Sequence, residues 1–274
     1  MEVPFYKMQG AANDFIVINN MKLRLSDEQL VSLTKQVCLQ RFSVGSDALM
    51  ALDFPQANAD FRMKFYNADG TEAEMCGNGV RCIARFAYET GIAKQQMTIE
   101  TKAGNVDCWR LDKRQYRVQI NEPSVENFDL SFPGTDFLVD YVELGDPGVP
   151  HLVINYPQLK EITLADIKPL AKKLRLWDAL DKGANVNFYA FDQNNEVILR
   201  TFERGVEDFT LACGTGAVST AYVLKKKQLI KNDFITLHVL GGVLEVEENK
   251  QHFYLIGDTN IVTKGYICDE DLVI

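Results

Sequence analysis

Two stretches of the chain, Gly79 to Tyr88 and Gly216 to Lys225, are apolar on most faces of a helix. A helix of that kind is buried and not laid on a surface. Short apolar runs bounded by turn residues surround each one and read as strands: Phe15 to Ile18, Ala48 to Leu52 and Phe61 to Tyr66, then Leu152 to Ile154, Val186 to Phe191 and Val197 to Phe202. Two charged, helix-periodic stretches, Ser26 to Leu39 and Thr163 to Leu174, begin at plausible N-caps, Ser26 and Thr163. After each apolar helix comes a hairpin with glycine at the turn: Met97 to Thr101 with Val106 to Leu111, and Ile235 to Val239 with Val243 to Glu247.

The order of elements is the same in both halves, and the register is shared. At a spacing of 137 residues, half of the 274-residue chain, Ala12–Val17 falls on Val149–Ile154, Phe65–Asn67 on Phe202–Arg204, Ala103–Val106 on Leu240–Val243 and Tyr116–Val118 on Phe253–Leu255. Several blocks in one register mark an internal duplication. The expected fold class is α+β. It has two pseudo-symmetric domains, each a strand-rich, barrel-like sheet around a buried helix. The expected boundaries are 1–120, completed by a C-terminal segment 265–274, and 121–264. Ligand clefts favour domain interfaces, so the site is expected between the two.

Composition narrows the function. At 46% hydrophobic and 24% charged, the chain is an ordinary globular protein. A net charge of −9, with no basic run beyond Lys225–Lys227, argues against nucleic acid as a partner. No apolar run reaches membrane-helix length, and the N-terminus lacks a signal-peptide layout, so no membrane partner and a cytoplasmic location are expected. Six widely spaced cysteines without a CxxC pair make neither a disulfide scaffold nor a zinc site. Cys38, Cys82, Cys108 and Cys268 read as buried, inert residues.

The other two cysteines occupy the repeated motif. Cys76-Gly77-Asn78-Gly79 and Cys213-Gly214-Thr215-Gly216 each open one of the apolar helices, 137 positions apart. Glycines let the backbone turn sharply and approach a ligand. Unpaired N–H groups and the helix dipole favour a carboxylate there, and favour thiolate over thiol. Two such loops facing one another could hold one carboxylate with a thiol on each side of the α-carbon. One thiolate would take the α-proton and the other thiol would deliver a proton to the opposite face, inverting the centre. Nothing in the pattern asks for a metal or another cofactor. The α-proton is weakly acidic, so the carbanion needs strong hydrogen-bond stabilisation with water excluded. Arg204, beside the second loop, can hold another carboxylate, and Glu203 can take an ammonium or tune a thiol.

Gly10–Phe15, Tyr66–Cys82, Gly148–His151, Asn185–Phe188, and Phe202–Glu207 continuing through Ala212–Ala217 resemble the diaminopimelate epimerase family, in order along the whole chain. The resemblance implies a cofactor-independent isomerase that interconverts LL- and meso-diaminopimelate, in lysine and cell-wall precursor synthesis. It implies that Cys76 and Cys213 are the base/acid pair. Gly77, Asn78, Gly214 and Thr215 would hold the reacting carboxylate through their N–H groups. Asn13, Asn67, Asn185, Glu203 and Arg204 would bind the substrate, mainly its distal amino-acid end. His151 and Glu203 would tune the thiols, although a histidine after a proline turn can also be purely structural.

Five positions depart from the family's pattern: Ala12 replaces a glycine, Val149 an asparagine, Ala48 a glutamine or glycine, Phe209 an acidic residue, and Thr263 a tyrosine linked to dimerisation in some members. Val149 and Phe209 loosen the substrate assignment, and Thr263 leaves a homodimer open. Asn67, Asn185 and Arg204 argue that a distal carboxylate is recognised. Two alternatives remain: a same-fold racemase of another amino acid, such as histidine, and a thiol-based ligand-binding or redox-sensing protein. A phenazine-biosynthesis-type isomerase shares the fold but lacks the cysteine pair.

Overall fold

The computed structural model describes residues 2–73, 75–268, 270 and 272–273. The motif residue Glu74 and, in the expected C-terminal segment, Asp269, Asp271 and Ile274 lie outside the described residues. The chain forms two compact units. The first comprises Met1–Val118 and Gly257–Ile274, the second Gln119–Ile256.

The first unit opens with β1 (Val3–Gly10) and β2 (Asn13–Asn19), an antiparallel hairpin in which Gly10 faces Asn13. The two residues of its turn, Ala11 and Ala12, have φ of 52° and 63°. A two-residue turn matched to sheet twist demands positive φ at both positions, which is why glycine is the easier residue at 12. A short α1 (Asn20–Leu23) leads to α2 (Asp27–Val37), started by a capping box between Ser26 and Gln29. Then follow β3 (Ala48–Asp53), β4 (Phe61–Asn67), α3 (Gly77–Glu89), β5 (Gln96–Thr101), β6 (Gly104–Arg110) and β7 (Gln115–Ile120).

The second unit repeats the plan. Its elements are β8 (Pro123–Ser131), β9 (Leu138–Leu144), β10 (Val149–Asn155), α4 (Leu164–Arg175), β11 (Asn185–Phe191), β12 (Val197–Glu203), β13 (Asp208–Phe209), α5 (Gly214–Lys226), β14 (Phe234–Val239), β15 (Gly242–Asn249) and β16 (His252–Asp258). Thr163 and Asp166 form the matching capping box at α4. The last strand, β17 (Asn260–Ile267), pairs antiparallel with β1 in the first unit.

The ladders match strand for strand. In the first unit β1–β2, β3–β4 and β5–β6 are antiparallel, while β2–β3 and β4–β5 are parallel. In the second, β9–β10, β11–β12 and β14–β15 are antiparallel, while β10–β11 and β12–β14 are parallel. Both α3 and α5 have 13 residues, and each is capped by its cysteine. α3 packs on β1, β2, β3 and β6; α5 packs on β9, β10, β11 and β15. Central strands such as β2 and β10 are buried over four or more consecutive residues, as expected when helices cover both faces.

Three expectations change. The return to the first unit comes at Gly257, earlier than residue 265, because β17 begins at Asn260 and is part of that unit's sheet. Cys268 is exposed, not buried. The apolar helix α3 carries Arg81 and Arg85 into the interior, at 0% and 6% exposure.

Candidate active site

Each unit holds one half of the expected constellation. In the first, Cys76 caps α3 in extended backbone (φ −135°, ψ 116°) and is partly exposed. Its Sγ lies 3.6 Å from Asn13 Oδ1, while the Asn13 amide donates to Asp47 at 2.6 Å. Gly77 and Asn78 are buried in the first turn. A Cβ at Gly79 would stand 3.0 Å from Met50 Sδ and 3.1 Å from the Phe65 ring, so the helix start lies close against β3 and β4. Asn67, at the end of β4, is exposed and donates to Thr71 at 3.0 Å.

In the second unit, Cys213 caps α5 in the same conformation (φ −116°, ψ 112°) and is buried at 7% exposure. Its sulfur accepts from Gly216 N–H at 3.4 Å and sits 3.6 Å from the Thr215 hydroxyl. Glu203 is hydrogen-bonded to Cys213 and accepts from Thr210 Oγ1 at 2.5 Å. Burial pushes the Glu203 carboxyl up, and the two hydrogen bonds pull it partway back.

The expected distal residues divide. Arg204 is exposed at the β12–β13 turn. Its N–H donates to Asn185 Oδ1 at 2.8 Å, and Asn185 Nδ2 reaches the Pro150 carbonyl at 3.3 Å. The Asn185 side chain therefore ties the Arg204 turn to β10, with one amide hydrogen left over. Phe209 packs edge-on against Phe202, with ring centroids 5.5 Å apart, and sits on the second unit's core. An aromatic residue at that place serves packing, whatever acidic role the position has elsewhere.

His151 is fully buried, and burial, with the charge of Arg204, pushes its pKa down to about 3. The ring is neutral at physiological pH. Asn187 Nδ2 approaches its Nδ1 at 3.1 Å, so Nδ1 accepts and Nε2 carries the proton. Nε2 has no hydrogen-bond partner among the described residues.

Sequence reasoning missed Asn187 as a participant. It is fully buried, donates also to the Leu152 carbonyl at 2.9 Å and accepts from Thr201 at 2.9 Å. Its Oδ1 lies against the Cα of Gly216, where a Cβ would collide with it. The signal was present: residues 185 and 187 share a face of one strand. Thr210 and Arg81 were missed too, the latter inside the motif itself.

Of groups able to hold a metal, Asp192, Glu196 and His238 bring ligand atoms within 4.8 Å of one another among the described residues. There His238 Nε2 already pairs with Glu196 at 2.5 Å. No helix among the described residues is long and apolar enough to cross a membrane.

The duplicated α+β fold defines the class, and solved structures share it. The chain superposes on a phenazine biosynthesis protein of the PhzF family from Bacillus anthracis with a TM-score of 0.73, at 14% identity over 97% of this chain and 99% of that one. A hydroxyproline epimerase from Agrobacterium vitis matches with a TM-score of 0.70, at 14% identity over 99% and 94%. These likenesses concern the fold. The sequence goes further: the diaminopimelate epimerase model matches residues 5–125 and 145–262. The diaminopimelate epimerase of Aquifex aeolicus (strain VF5) is 34% identical over 98% of this chain and 99% of that protein. That of Flavobacterium psychrophilum is 35% identical over 95% of each. The chain belongs to the diaminopimelate epimerase family.

Proposed function

We propose that the protein is a diaminopimelate epimerase, interconverting the LL and meso forms by proton transfer at Cα between two thiols. The observation that carries this reading is the pair of 13-residue helices with a cysteine in extended backbone at each N-cap, Cys76 on one and Cys213 on the other, in a chain of this family. In this reading the N–H groups of Gly77, Asn78, Gly214 and Thr215 hold the reacting carboxylate and stabilise the carbanion as charge develops. Arg204 takes the distal carboxylate, with Asn13, Asn67, Asn185 and Glu203 around the substrate. A thiolate removes the α-proton, the other thiol supplies one to the opposite face, and the two exchange roles in the reverse direction. Both thiols have to stay reduced, which fits a cytoplasmic enzyme.

Deuterium incorporation at Cα tests it. With reduced enzyme in D₂O, LL-diaminopimelate is expected to exchange, while single-ended L-amino acids, L-histidine included, are not. Faster exchange into L-histidine would keep the two-thiol chemistry and overturn the substrate. Val149 still speaks for that second reading, whereas Phe209, turned onto the core, no longer does.

A further inference from the structure

The turn that carries Arg204 is held from two sides. On one side its N–H is tied to Asn185. The other hold comes from α4. The last residue of that helix, Arg175, has a largely buried side chain, and its Nε and Nη2 both reach Glu207 Oε1, at 3.0 and 2.9 Å. The same oxygen accepts from the Gly205 N–H at 3.0 Å. One carboxylate oxygen thus gathers three donors, two from a helix end and one from the backbone directly after Arg204.

Arg175 is itself clamped. The segment 176–184 folds back over it: Ala184 N–H donates to the Arg175 carbonyl at 3.3 Å, and a Cβ on Gly183, where φ is 57°, would collide with Arg175 Nη1 and with that carbonyl oxygen. The residue before this glycine, Lys182, offers its carbonyl to Arg204 Nη1 at 3.4 Å. Backbone and guanidinium of the Arg204 turn are therefore both referred to Arg175. Two helical turns earlier on α4, Lys168 adds a 2.7 Å bond to Asp208, next along the turn.

Glu207 does this from an unfavourable backbone. Its φ is 59°, in the left-handed region that resists a side chain. At the shared spacing of 137 residues, position 207 falls on Gly70, where φ is 84° and a glycine meets the same demand without strain. Stability of the turn alone would favour glycine at both places. The second unit carries a glutamate instead, and its carboxylate is bound to Arg175.

We propose that Arg175 and Glu207 are positioning residues for Arg204: their ion pair fixes the turn to the end of α4 and so sets where the Arg204 guanidinium stands before the distal carboxylate arrives. The pair takes no part in the proton transfer; it acts on how tightly a double-ended substrate is held. This rests on the reading of Arg204 as the group that takes that carboxylate.

Steady-state kinetics with LL-diaminopimelate, beside thermal melts, test it. Glu207→Gly is expected to raise KM about tenfold while kcat stays within about threefold, the pattern of lost uniform binding. Its melting temperature is expected to stay within about 3 °C, because relief of the left-handed backbone offsets the loss of a half-exposed ion pair. Arg175→Met is expected to raise KM equally, and the double variant Arg175→Met/Glu207→Gly no further, since the two act as one unit. Arg175→Lys is expected to keep KM within about threefold of the unaltered protein, because Nε and Nη2 converge on one oxygen that a single ammonium can reach. A lowered melting temperature with an unmoved KM in Glu207→Gly would make the pair a structural tie and overturn the proposal, as would a fall in kcat at unchanged KM. Arg204→Met is the reference. If it raises KM and Glu207→Gly does not, the proposal falls alone; if it leaves KM unchanged, the reading of Arg204 falls and the proposal with it. Where Arg175→Met does not fold, Glu207→Gly, at an exposed position, decides.

Discussion

The two cysteine loops share one backbone and differ in what lies under it. Under the Cys76 loop are a cation and soft side chains: Arg81, bonded to Gly77 and Asn78, and Met50 and Phe65 against Gly79. Around Cys213 are a carboxyl group and a rigid amide: Glu203, and Asn187 against Gly216. Duplication supplies the helix N-terminus twice, because that depends on backbone geometry. The surroundings have diverged, and two chemically identical thiols acquire different environments.

The largest expected effect leaves the comparison intact and shows that both halves are needed. Cys76→Ala and Cys213→Ala should each lower epimerisation by on the order of 10³-fold or more, measured as the rate of LL-to-meso conversion. Near-normal turnover in either variant would end the two-base scheme.

The second glycines separate the loops by rigidity. Gly216→Ala drives a methyl group into Asn187 Oδ1, an atom of a side chain held by three hydrogen bonds. It should cost about 3 kcal/mol in urea denaturation, whereas Gly79→Ala, whose methyl group meets a flexible methionine at 3.0 Å and the edge of the Phe65 ring at 3.1 Å without the deep overlap seen at Gly216, should cost about 1 kcal/mol. Equal losses would show the two loops to be equally stiff.

The neutral His151 belongs to the second loop's surroundings alone. Its pKa falls from 6.5 unfolded to about 3 folded, so the unfolded chain takes up a proton first as the pH drops. Stability is complete above pH 6.5 and is lost progressively toward about 3, with a slope of at most about 1.4 kcal/mol per pH unit from this one group. In His151→Asn that component should vanish from denaturation curves taken across this range. An unchanged slope would mean that other groups cause the acid loss.

Two smaller effects follow. Ala12→Gly should stabilise the β1–β2 turn by about 1 kcal/mol, since alanine resists positive φ; no change in the melting temperature would count against strain there. Thr210→Val removes a bond that holds the Glu203 carboxyl down, so Glu203 titrates higher. The acid limb of the rate profile should move up by less than about one pH unit. A limb that stays put would take Glu203 out of the titration that governs the rate.

Much of this was legible from residue pattern. The capping boxes at Ser26 and Thr163, the buried strands and the cysteine loops all carry local signals, and their spacing exposes the duplication. Strands β8 and β17 were not legible, because most of their residues are exposed and β17 shows no alternation of apolar and polar positions, while in β8 it is confined to the last four residues, Phe128 to Ser131. The interior place of Arg81 was hidden for a different reason: a charged residue reads as surface until packing shows otherwise. Asn187 stood in a quoted motif, but only the fold shows that it touches the start of the helix 29 residues further along.

The pairing of β17 with β1 also orders events during synthesis. The second unit is one continuous stretch, Gln119–Ile256, whereas the first is missing an edge strand until residues 257–274 have been made. On the ribosome the unit encoded later is therefore the one whose chain is complete sooner. The open edge of β1 must wait, unpaired and able to zip onto a stray strand, for some 250 residues of translation, from Gly10 to Asn260.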